Sequence, residues 1–191
     1  IVLFLAASAL VPTSCPSPSD GNVQSPDYIS SNIGTLKYVP AGSFQRDGTP
    51  VNISVMTGPF RISQTEITRL QFYMIMGTDP SDTASSSGIG DPVQMANWYH
   101  AIAFCNKLSI AEGLTPVYTV AGVNLSTLTF GEIPTVDAAA WNAAAADWDA
   151  DGYRLPTEME WMWAAMGADS GDPGALNTTG WAKSFAGRDG S

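Results

Sequence analysis

Apolar positions spaced two apart predict strands in the first third of the chain. Residues 35–44 favour a strand that a Pro-Ala-Gly turn signal interrupts. Val51, Ile53 and Val55 alternate with other residues, which predicts a second strand with one buried face. A Gly-Pro pair breaks that strand, and residues 60–62 are expected to resume extended structure.

Apolar positions spaced three and four apart then predict two helices. The first is expected over residues 65–76, with Ile67, Leu70 and Met74 on one face and Gly77 as its stop. The second is expected to start at Asn97 or Trp98, to reach about Ala111, and to carry the apolar stripe Ala101, Phe104, Cys105 and Leu108.

Two later segments are also predicted to be helical. Residues 136–146 are rich in alanine, with Trp141 as their one large anchor. The last helix, over residues 157–167, has the clearest start because Thr157 and Glu160 form a capping box. Short strands mixed with separate helices, without a regular β–α–β order, predict an α+β fold.

The start of the chain has the pattern of an export signal. Residues 1–11 form an apolar run, too short for a bilayer that needs about 20 residues but suited to the core of a secretory signal. Small residues before Cys15 resemble a bacterial lipoprotein signal, in which the sulfur of Cys15 would carry the lipid. Pro12 stands where such signals usually have leucine, so an ordinary signal cut near Ser14 stays the alternative. We therefore expect a partial signal peptide over 1–14, a flexible Pro/Ser tether over 15–33, and a globular part over 34–191.

The charge balance argues against one class of partner. The chain has 18 acidic and 8 basic residues and a net charge of −10. A nucleic-acid binder neutralises phosphates with lysine and arginine, so we expect no nucleic-acid partner. A hydrophobic content of 45% is that of a packed chain, not of a disordered one.

An acidic stretch fits the template of a calcium-binding loop. Asp147, Asp149 and Asp151 alternate, a glycine follows, and Glu158 stands at the closing position. Pro156 lies inside this loop, no second loop accompanies it, and Glu158 is already explained as a first-turn acid of the last helix. We expect a solvated acidic turn, with the three aspartates as weak calcium candidates.

Neither thiols nor histidines form a catalytic set. His100 is the single histidine, which excludes a multi-histidine metal site and favours a surface or capping role. Cys105 lies on the apolar helix stripe, where a buried thiol is inert packing; pairing with a cysteine beyond Ser191 is the alternative. We predict no catalytic residue in this chain.

Five stretches, read in order, resemble the formylglycine-generating enzyme, or sulfatase-modifying factor, domain. They are YVPAGSF (38–44), FRISQTEIT (60–68), DPVQMANWYHA (91–101), AFCNKLS with EGLTPVY (103–118) and GYRLPTEMEW (152–161). The motif residues that we expect to be structural are Trp98, Cys105, Arg154, Pro156, Thr157, Glu158, Glu160 and Trp161.

This resemblance implies an irregular α+β fold related to C-type lectin domains, incomplete at its C-terminus here. It also implies an activity: enzymes of the family use oxygen and copper(I), held by two cysteines, to oxidise the cysteine of a sulfatase Cys-x-Pro-x-Arg segment to formylglycine. That cysteine pair and the family's calcium sites belong to the C-terminal half, past Ser191. Neither Cys15 nor Cys105 matches the pair, and Cys105 matches a position that forms a structural disulfide in some relatives.

Two hypotheses of function follow. The first is an exported, lipid-anchored oxidase whose catalytic half, with copper and calcium, belongs to the full-length protein and acts on a sulfatase peptide. The alternative is a non-catalytic surface ligand-binding or assembly lipoprotein on the same fold. Both place the protein at a membrane through Cys15, in the periplasm or at the cell surface, and we expect residues 35–167 to expose apolar surface.

Overall fold

The computed structural model describes residues 4–7 and 27–168, which form a mixed fold of helices and strands. Its main sheet has the strand order β1-β6-β3-β2, and every neighbouring pair is antiparallel. The strands of this sheet are β1 (Ala6–Ala7), β2 (Tyr28–Ser30), β3 (Gly34–Val39) and β6 (Phe60–Ser63).

Two smaller antiparallel ladders lie outside the main sheet. The first pairs β4 (Gly42–Gln45) with β5 (Ile53–Met56), and the second pairs β7 (Tyr118–Thr119) with β8 (Ala145–Ala146). The α-helices are α1 (Arg69–Met76), α2 (Trp98–Ala111), α3 (Ala139–Asn142) and α4 (Glu158–Ala165), and short 3-10 helices cover Thr83–Ser85 and Phe130–Glu132.

Local capping explains where the long helices begin. Thr68, Asn97 and Thr157 are the N-cap residues of α1, α2 and α4, and each accepts a hydrogen bond from the backbone N–H three residues later. Gly77 ends α1 with a left-handed φ of 73°, a conformation that glycine adopts without strain.

Among the residues that the structure describes, the buried apolar side chains form two clusters. The main cluster surrounds α2, whose Phe104 stacks on Phe72 of α1 with ring centres 5.3 Å apart. The second cluster centres on Trp163 of α4, which is fully buried, stacks on Phe44 of β4 and donates its indole N–H to the carbonyl of Pro40 at 2.9 Å.

The N-terminal apolar run contributes a strand to this fold. Leu5, Ala6 and Ala7 are fully buried, and β1 lies between β6 on one side and Arg154 on the other. Leu5 and Ala7 belong to the main cluster, whereas Ala6 belongs to the second one. These few residues, which we expected to belong to a partial signal peptide, thus contribute to both clusters.

Residues 28–33, the last part of the tether expected over residues 15–33, belong to the fold instead. Residues 28–30 form β2, which pairs with β3, and Ile33 is buried in the main cluster. The fold thus includes residues before 34, because Tyr28 packs against the main cluster and Ser30 is hydrogen-bonded to α2's C-cap residue Glu112.

The face of β5 is the reverse of the expected one. Ile53 and Val55 are exposed, while Ser54 and Met56 are buried. Met56 joins the second cluster, and the Ser54 hydroxyl donates to the sulfur of Met159 at 2.9 Å. The predicted strand is confirmed and its predicted buried face is wrong.

The first helix starts four residues later than expected and turns a different face inward. Residues 67 and 68 stay extended because the N–H of Val93 donates to the carbonyl of Ile67 at 2.9 Å. Leu70 and Met74 are exposed, and Phe72 and Met76 are the apolar residues of α1 that are buried.

The alanine-rich helix expected over residues 136–146 is confined to α3. Residues 145–146 leave it to pair with β7, so tertiary pairing overrides the helix propensity of alanine. Trp141 is buried in the main cluster, as expected of the anchor.

Among the described residues, no helix is both long enough and apolar enough to cross a bilayer.

Candidate functional site

An open groove lies between β5 and the start of α4. Its volume is about 550 Å³. Trp148 and Val55 are exposed at 59% and 61%, although both are large apolar side chains. We name this feature the Trp148 groove, and its lining residues are Ser54, Val55, Met56, Thr57, Gly58, Pro59, Phe60, Trp148, Arg154, Thr157, Met159 and Glu160.

A buried ion pair forms the polar part of the Trp148 groove. Two nitrogens of Arg154 lie 2.5 and 2.7 Å from the two carboxylate oxygens of Glu160. Burial opposes ionisation of Glu160, but the hydrogen bonds from Arg154 and from the Thr157 backbone outweigh it, so the pKa of Glu160 lies below its ordinary value. The guanidinium carbon of Arg154 also lies 5.1 Å from the centre of the Trp148 ring, within cation–π range.

The glycine that precedes this ion pair is required by close packing. A Cβ atom at Gly152 would overlap the backbone carbonyl of Thr115 and lie 2.6 Å from the Ser109 hydroxyl oxygen. That same hydroxyl accepts the N–H of Tyr153 at 2.8 Å. Gly152 thus lets the strand-like segment before α4 lie directly against α2.

The expected motif residues take positions around these features. Thr157 is the N-cap of α4, and its N–H donates to Glu160 at 2.8 Å, which completes the capping box. Glu158 and Trp161 lie exposed on α4, and Pro156 is half-buried just before it. Trp98 is the first residue of α2 and is 37% exposed. Of these residues the structure brings Arg154, Thr157 and Glu160 together in the Trp148 groove.

The thiol in the described part of the chain is inaccessible. Cys105 is fully buried in the main cluster and carries no disulfide, and burial raises the pKa of its thiol. A thiolate is the nucleophilic and metal-binding form, so this environment makes Cys105 unreactive. Cys15, the predicted lipid attachment residue, lies outside the described residues.

His100, the third residue of α2, completes the capping of this helix with its side chain. Its Nδ1 atom accepts the N–H of Asn97 at 3.1 Å, and its ring stacks on Phe130 with centres 4.5 Å apart. The residue is 3% exposed, and burial lowers the pKa of the imidazole. Its other nitrogen, Nε2, is buried and has no hydrogen-bond partner among the described residues. Of the surface or capping role expected for His100, the capping role fits these contacts, whereas the surface role is wrong because the side chain is buried.

Two of the three candidate calcium ligands use their carboxylates to accept backbone hydrogen bonds. Asp147 accepts the N–H of Asp149 at 3.0 Å, and Asp151 accepts the N–H of Thr115 at 2.7 Å. In the described ranges, no group of three His, Cys, Asp or Glu residues is placed to hold a metal ion.

Sequence reasoning missed the role of Glu112. Its carboxylate accepts hydrogen bonds from the hydroxyl groups of Tyr28, Ser30 and Tyr153 and from the amide of Asn32, at distances of 3.3, 2.5, 2.5 and 2.8 Å. Burial and the nearby carboxylate raise the pKa of Tyr153. No local sequence signal points to this cluster, because its partners lie about 40 or 80 residues away.

Trp148, Met56 and Met159 were missed as well. Trp148 occupies an unspecified position of the calcium template, and exposed aromatic residues carry no periodic signal. Met56 and Met159 lie far apart in the sequence, and only the fold places both of them along one groove.

A family model matches most of the chain. The model of the sulfatase-modifying factor enzyme 1-like domain matches residues 20–185. Chaperone protein LppX of Paenibacillus barcinonensis is 31% identical over 166 residues, which cover 87% of this chain and 54% of that protein. The chain therefore spans about half the length of this curated relative.

Solved structures share the fold. Treponema denticola variable protein 1 superposes with a TM-score of 0.64 at 33% identity, over 77% of this chain and 61% of that one. CarF superposes with a TM-score of 0.57 at 24% identity, over 82% and 64% of the two chains, and shows the fold alone. On these grounds the chain belongs to the sulfatase-modifying factor enzyme 1-like domain family.

Proposed function

We propose that this chain belongs to an exported, lipid-anchored protein that binds unfolded or extended polypeptide without catalysis, on a C-type-lectin-related fold. The observation that carries this proposal is the Trp148 groove. It is open, its lining is about half apolar, and two large apolar side chains, Trp148 and Val55, are more than half exposed in it. Exposed apolar patches of this kind mark sites of protein interaction.

The side chains of the Trp148 groove suit partners of varied sequence. Trp148 offers a large flat contact surface, and the partly buried Met159 adds a flexible thioether side chain that adapts to irregular shapes. The Arg154–Glu160 pair leaves the groove without a net charge from these two residues. The Trp148 groove would therefore select a polypeptide by its apolar side chains more than by its pattern of charges.

A relative's name points the same way. The 31% identical protein of Paenibacillus barcinonensis is named a chaperone protein. Because this chain spans 54% of that relative, client binding by the whole protein is a proposal for this chain and not a property transferred to it.

The test uses the full-length protein and the aggregation of reduced α-lactalbumin, followed by light scattering. The intact protein is expected to slow aggregation, and Trp148→Ala is expected to weaken this effect several-fold. Trp161→Ala is the matched control, since Trp161 is also an exposed tryptophan but lies outside the Trp148 groove. The proposal would be overturned if Trp148→Ala and Trp161→Ala weakened the suppression of aggregation equally, or if the intact protein did not suppress aggregation.

Export and lipid attachment are supported by the leader pattern alone. The apolar run, the small residues before Cys15 and the Pro/Ser-rich stretch after it are typical of a bacterial lipoprotein. Attachment through Cys15 would hold the domain at a membrane surface, periplasmic or extracellular, where newly exported polypeptides are unfolded.

Oxidation of a sulfatase cysteine is the competing proposal, and the family match supports it. It needs two copper-binding cysteines from outside this sequence, since Cys105 is buried with a raised pKa. Incubation of the full-length protein with copper(I), oxygen and a Cys-x-Pro-x-Arg peptide, followed by mass spectrometry, distinguishes the two. Formylglycine in the product would favour the oxidase, and its absence together with client binding would favour the chaperone-type role. Calcium, which the family implies for the full-length protein, can be tested by its effect on the melting temperature.

A further inference from the structure

A second pocket lies beside α4 and has no lining residue in common with the Trp148 groove. Its volume is about 500 Å³. Apart from Phe4, its walls come from β3, from β6 with the residue after it, and from α4 with the residues after it. We name this feature the Trp161 pocket, after the largest side chain that lines it.

The lining of the Trp161 pocket is mostly apolar. Val39 and Ile62 are buried in the second cluster, and Ala164 packs against that cluster. Trp161 remains 46% exposed beside them. A chain segment that covers this apolar surface would stabilise the fold, because apolar area is then removed from water.

The described part of the chain ends at this pocket. Gly167 and Ala168 line it, and Ala168 is the last described residue. Both have a left-handed backbone, with φ of 93° and 44°, and the N–H of Ala168 donates to the carbonyl of Trp163 at 3.1 Å. These contacts fix the end of α4, so the chain leaves the described fold next to the Trp161 pocket.

The residues that follow belong to the same domain, since the family match extends to residue 185. Most of residues 169–185 are small or polar, and the large apolar ones are Leu176, Trp181 and Phe185. Trp181 lies 13 residues after Ala168. An extended chain of that length reaches roughly 40 Å, which is enough to bring this side chain back to the pocket.

We propose that the Trp161 pocket is a docking surface within the chain, filled by residues 169–185 with the side chains of Trp181 and Phe185 against Trp161. This segment starts at the pocket, belongs to the matched domain and carries aromatic side chains that pack on an exposed tryptophan. The inference is independent of the proposed function. It removes the Trp161 pocket from the surfaces available to a partner and leaves the Trp148 groove.

Photo-crosslinking in the full-length protein tests this contact. Benzoylphenylalanine, a photoreactive aromatic residue, replaces Trp161, and the irradiated protein is cut before its aspartates. Because Asp169 and Asp172 lie in between and Asp189 follows, position 161 and residues 172–188 then fall in different peptides. Mass spectrometry is expected to find these two peptides crosslinked. A mixture of unlabelled and nitrogen-15-labelled protein is expected to give no mixed pairs, which shows that the contact lies within one chain.

Two controls make the mapping specific. The same photoreactive residue in place of Trp148 is expected to give less than a tenth of the crosslink to residues 172–188. Trp181→Ala combined with Phe185→Ala is expected to lower the yield from position 161 at least fivefold. If replacement of Trp161 prevents folding, the photoreactive residue is placed at Gln64, which is exposed and lines the same pocket.

Four outcomes would overturn the inference. Crosslinks confined to residues 169–171 would reflect only their closeness along the chain. Pairs with mixed labels would assign the pocket to a second copy, and crosslinks to residues past Ser191 or to another protein would assign it to that partner. Equal yields from positions 161 and 148 would show that residues 172–188 do not select the Trp161 pocket. None of these results changes the expected suppression of client aggregation, so the proposed function stands or fails separately.

Discussion

Arg154 is the residue at which the sheet, the second apolar cluster and the Trp148 groove meet. Its backbone pairs with Ala6, its guanidinium pairs with Glu160, and Trp148 lies over it. The side chains of Arg154 and Glu160 are only 6% and 14% exposed. A buried arginine depends on its counter-charge, because water cannot replace the lost interaction.

Glu160→Gln is therefore expected to lower the free energy of unfolding by about 3 kcal/mol, as is typical when one partner of a buried pair is neutralised. Urea unfolding measures the change. Glu158→Gln is the matched control, since Glu158 lies exposed in the same first turn of α4, and its loss should stay under about 1 kcal/mol. Similar losses in the two variants would show that the ion pair contributes little.

His100 makes a second prediction, on pH dependence. Burial lowers the pKa of His100 in the folded state, whereas the unfolded chain keeps the ordinary pKa near 6.5. At a pH between these two pKa values, the unfolded chain therefore binds one proton more than the folded protein. Stability from this group is present above about pH 6.5 and is lost as the pH falls, by at most about 1.4 kcal/mol per pH unit.

His100→Gln keeps a hydrogen-bond acceptor for Asn97 and does not titrate. Its unfolding free energy should fall less between pH 7 and pH 5 than that of the natural protein, measured in urea at each pH. The same slope in both proteins would contradict the assigned role of His100.

Single residues also show how far the sequence can be interpreted. The capping box of Thr157 and Glu160 is predictable because its two members are three residues apart and act within one turn. The carboxylate of Glu112 is not, because its partners Tyr28, Ser30, Asn32 and Tyr153 meet only after the whole chain has folded.

Among the elements, β5 shows that the local alternation of side chains predicts a strand but not its buried face. Alternation predicts a strand with two unlike faces, but it does not say which face meets the core. Pairing with β4 and contact with α4 bury Met56 and leave Val55 exposed. The alanine-rich segment shows the same limit, because pairing of β8 with β7 stops a helix that propensity alone would extend.

The face of β5 can be tested with two neighbouring substitutions. Met56→Ala should lower the free energy of unfolding by about 2–4 kcal/mol, because it leaves a cavity in the second cluster. Val55→Ala should change it by less than about 0.5 kcal/mol, since this side chain is 61% exposed. Denaturant unfolding measures the free energy of unfolding of both variants. A larger decrease for Val55→Ala than for Met56→Ala would show that the face of β5 expected from the sequence is the buried one.

At the scale of the whole molecule, the proposed lipid anchor would determine where the proposed binding surface works. If the Cys15 sulfur carries a lipid, Cys15→Ala should move the full-length protein from the membrane fraction to the soluble fraction of an expressing bacterium. Immunoblotting of the two fractions measures this, with Cys105→Ala as the control because Cys105 is buried in the fold. Unchanged partitioning of Cys15→Ala would refute lipid anchoring.

The family and the mixed fold were predictable because five short motifs occur in order, each tied to a local structure such as a cap or a close glycine contact. The Trp148 groove could not be predicted from the sequence, because its walls come from β5 and the start of α4, which are about 100 residues apart. The use of residues 4–7 as a core strand was not predictable either, since an apolar run has the same composition in a signal peptide and in a buried strand.

The central claim is that the Trp148 groove binds unfolded polypeptide, and hydrogen–deuterium exchange tests it most directly. The mature full-length protein would be measured alone and with an excess of reduced α-lactalbumin. The account predicts slower exchange in residues 54–60 and 148–160, which contain the lining residues of the groove. Unchanged exchange in both segments, with the client bound elsewhere or not at all, would contradict it.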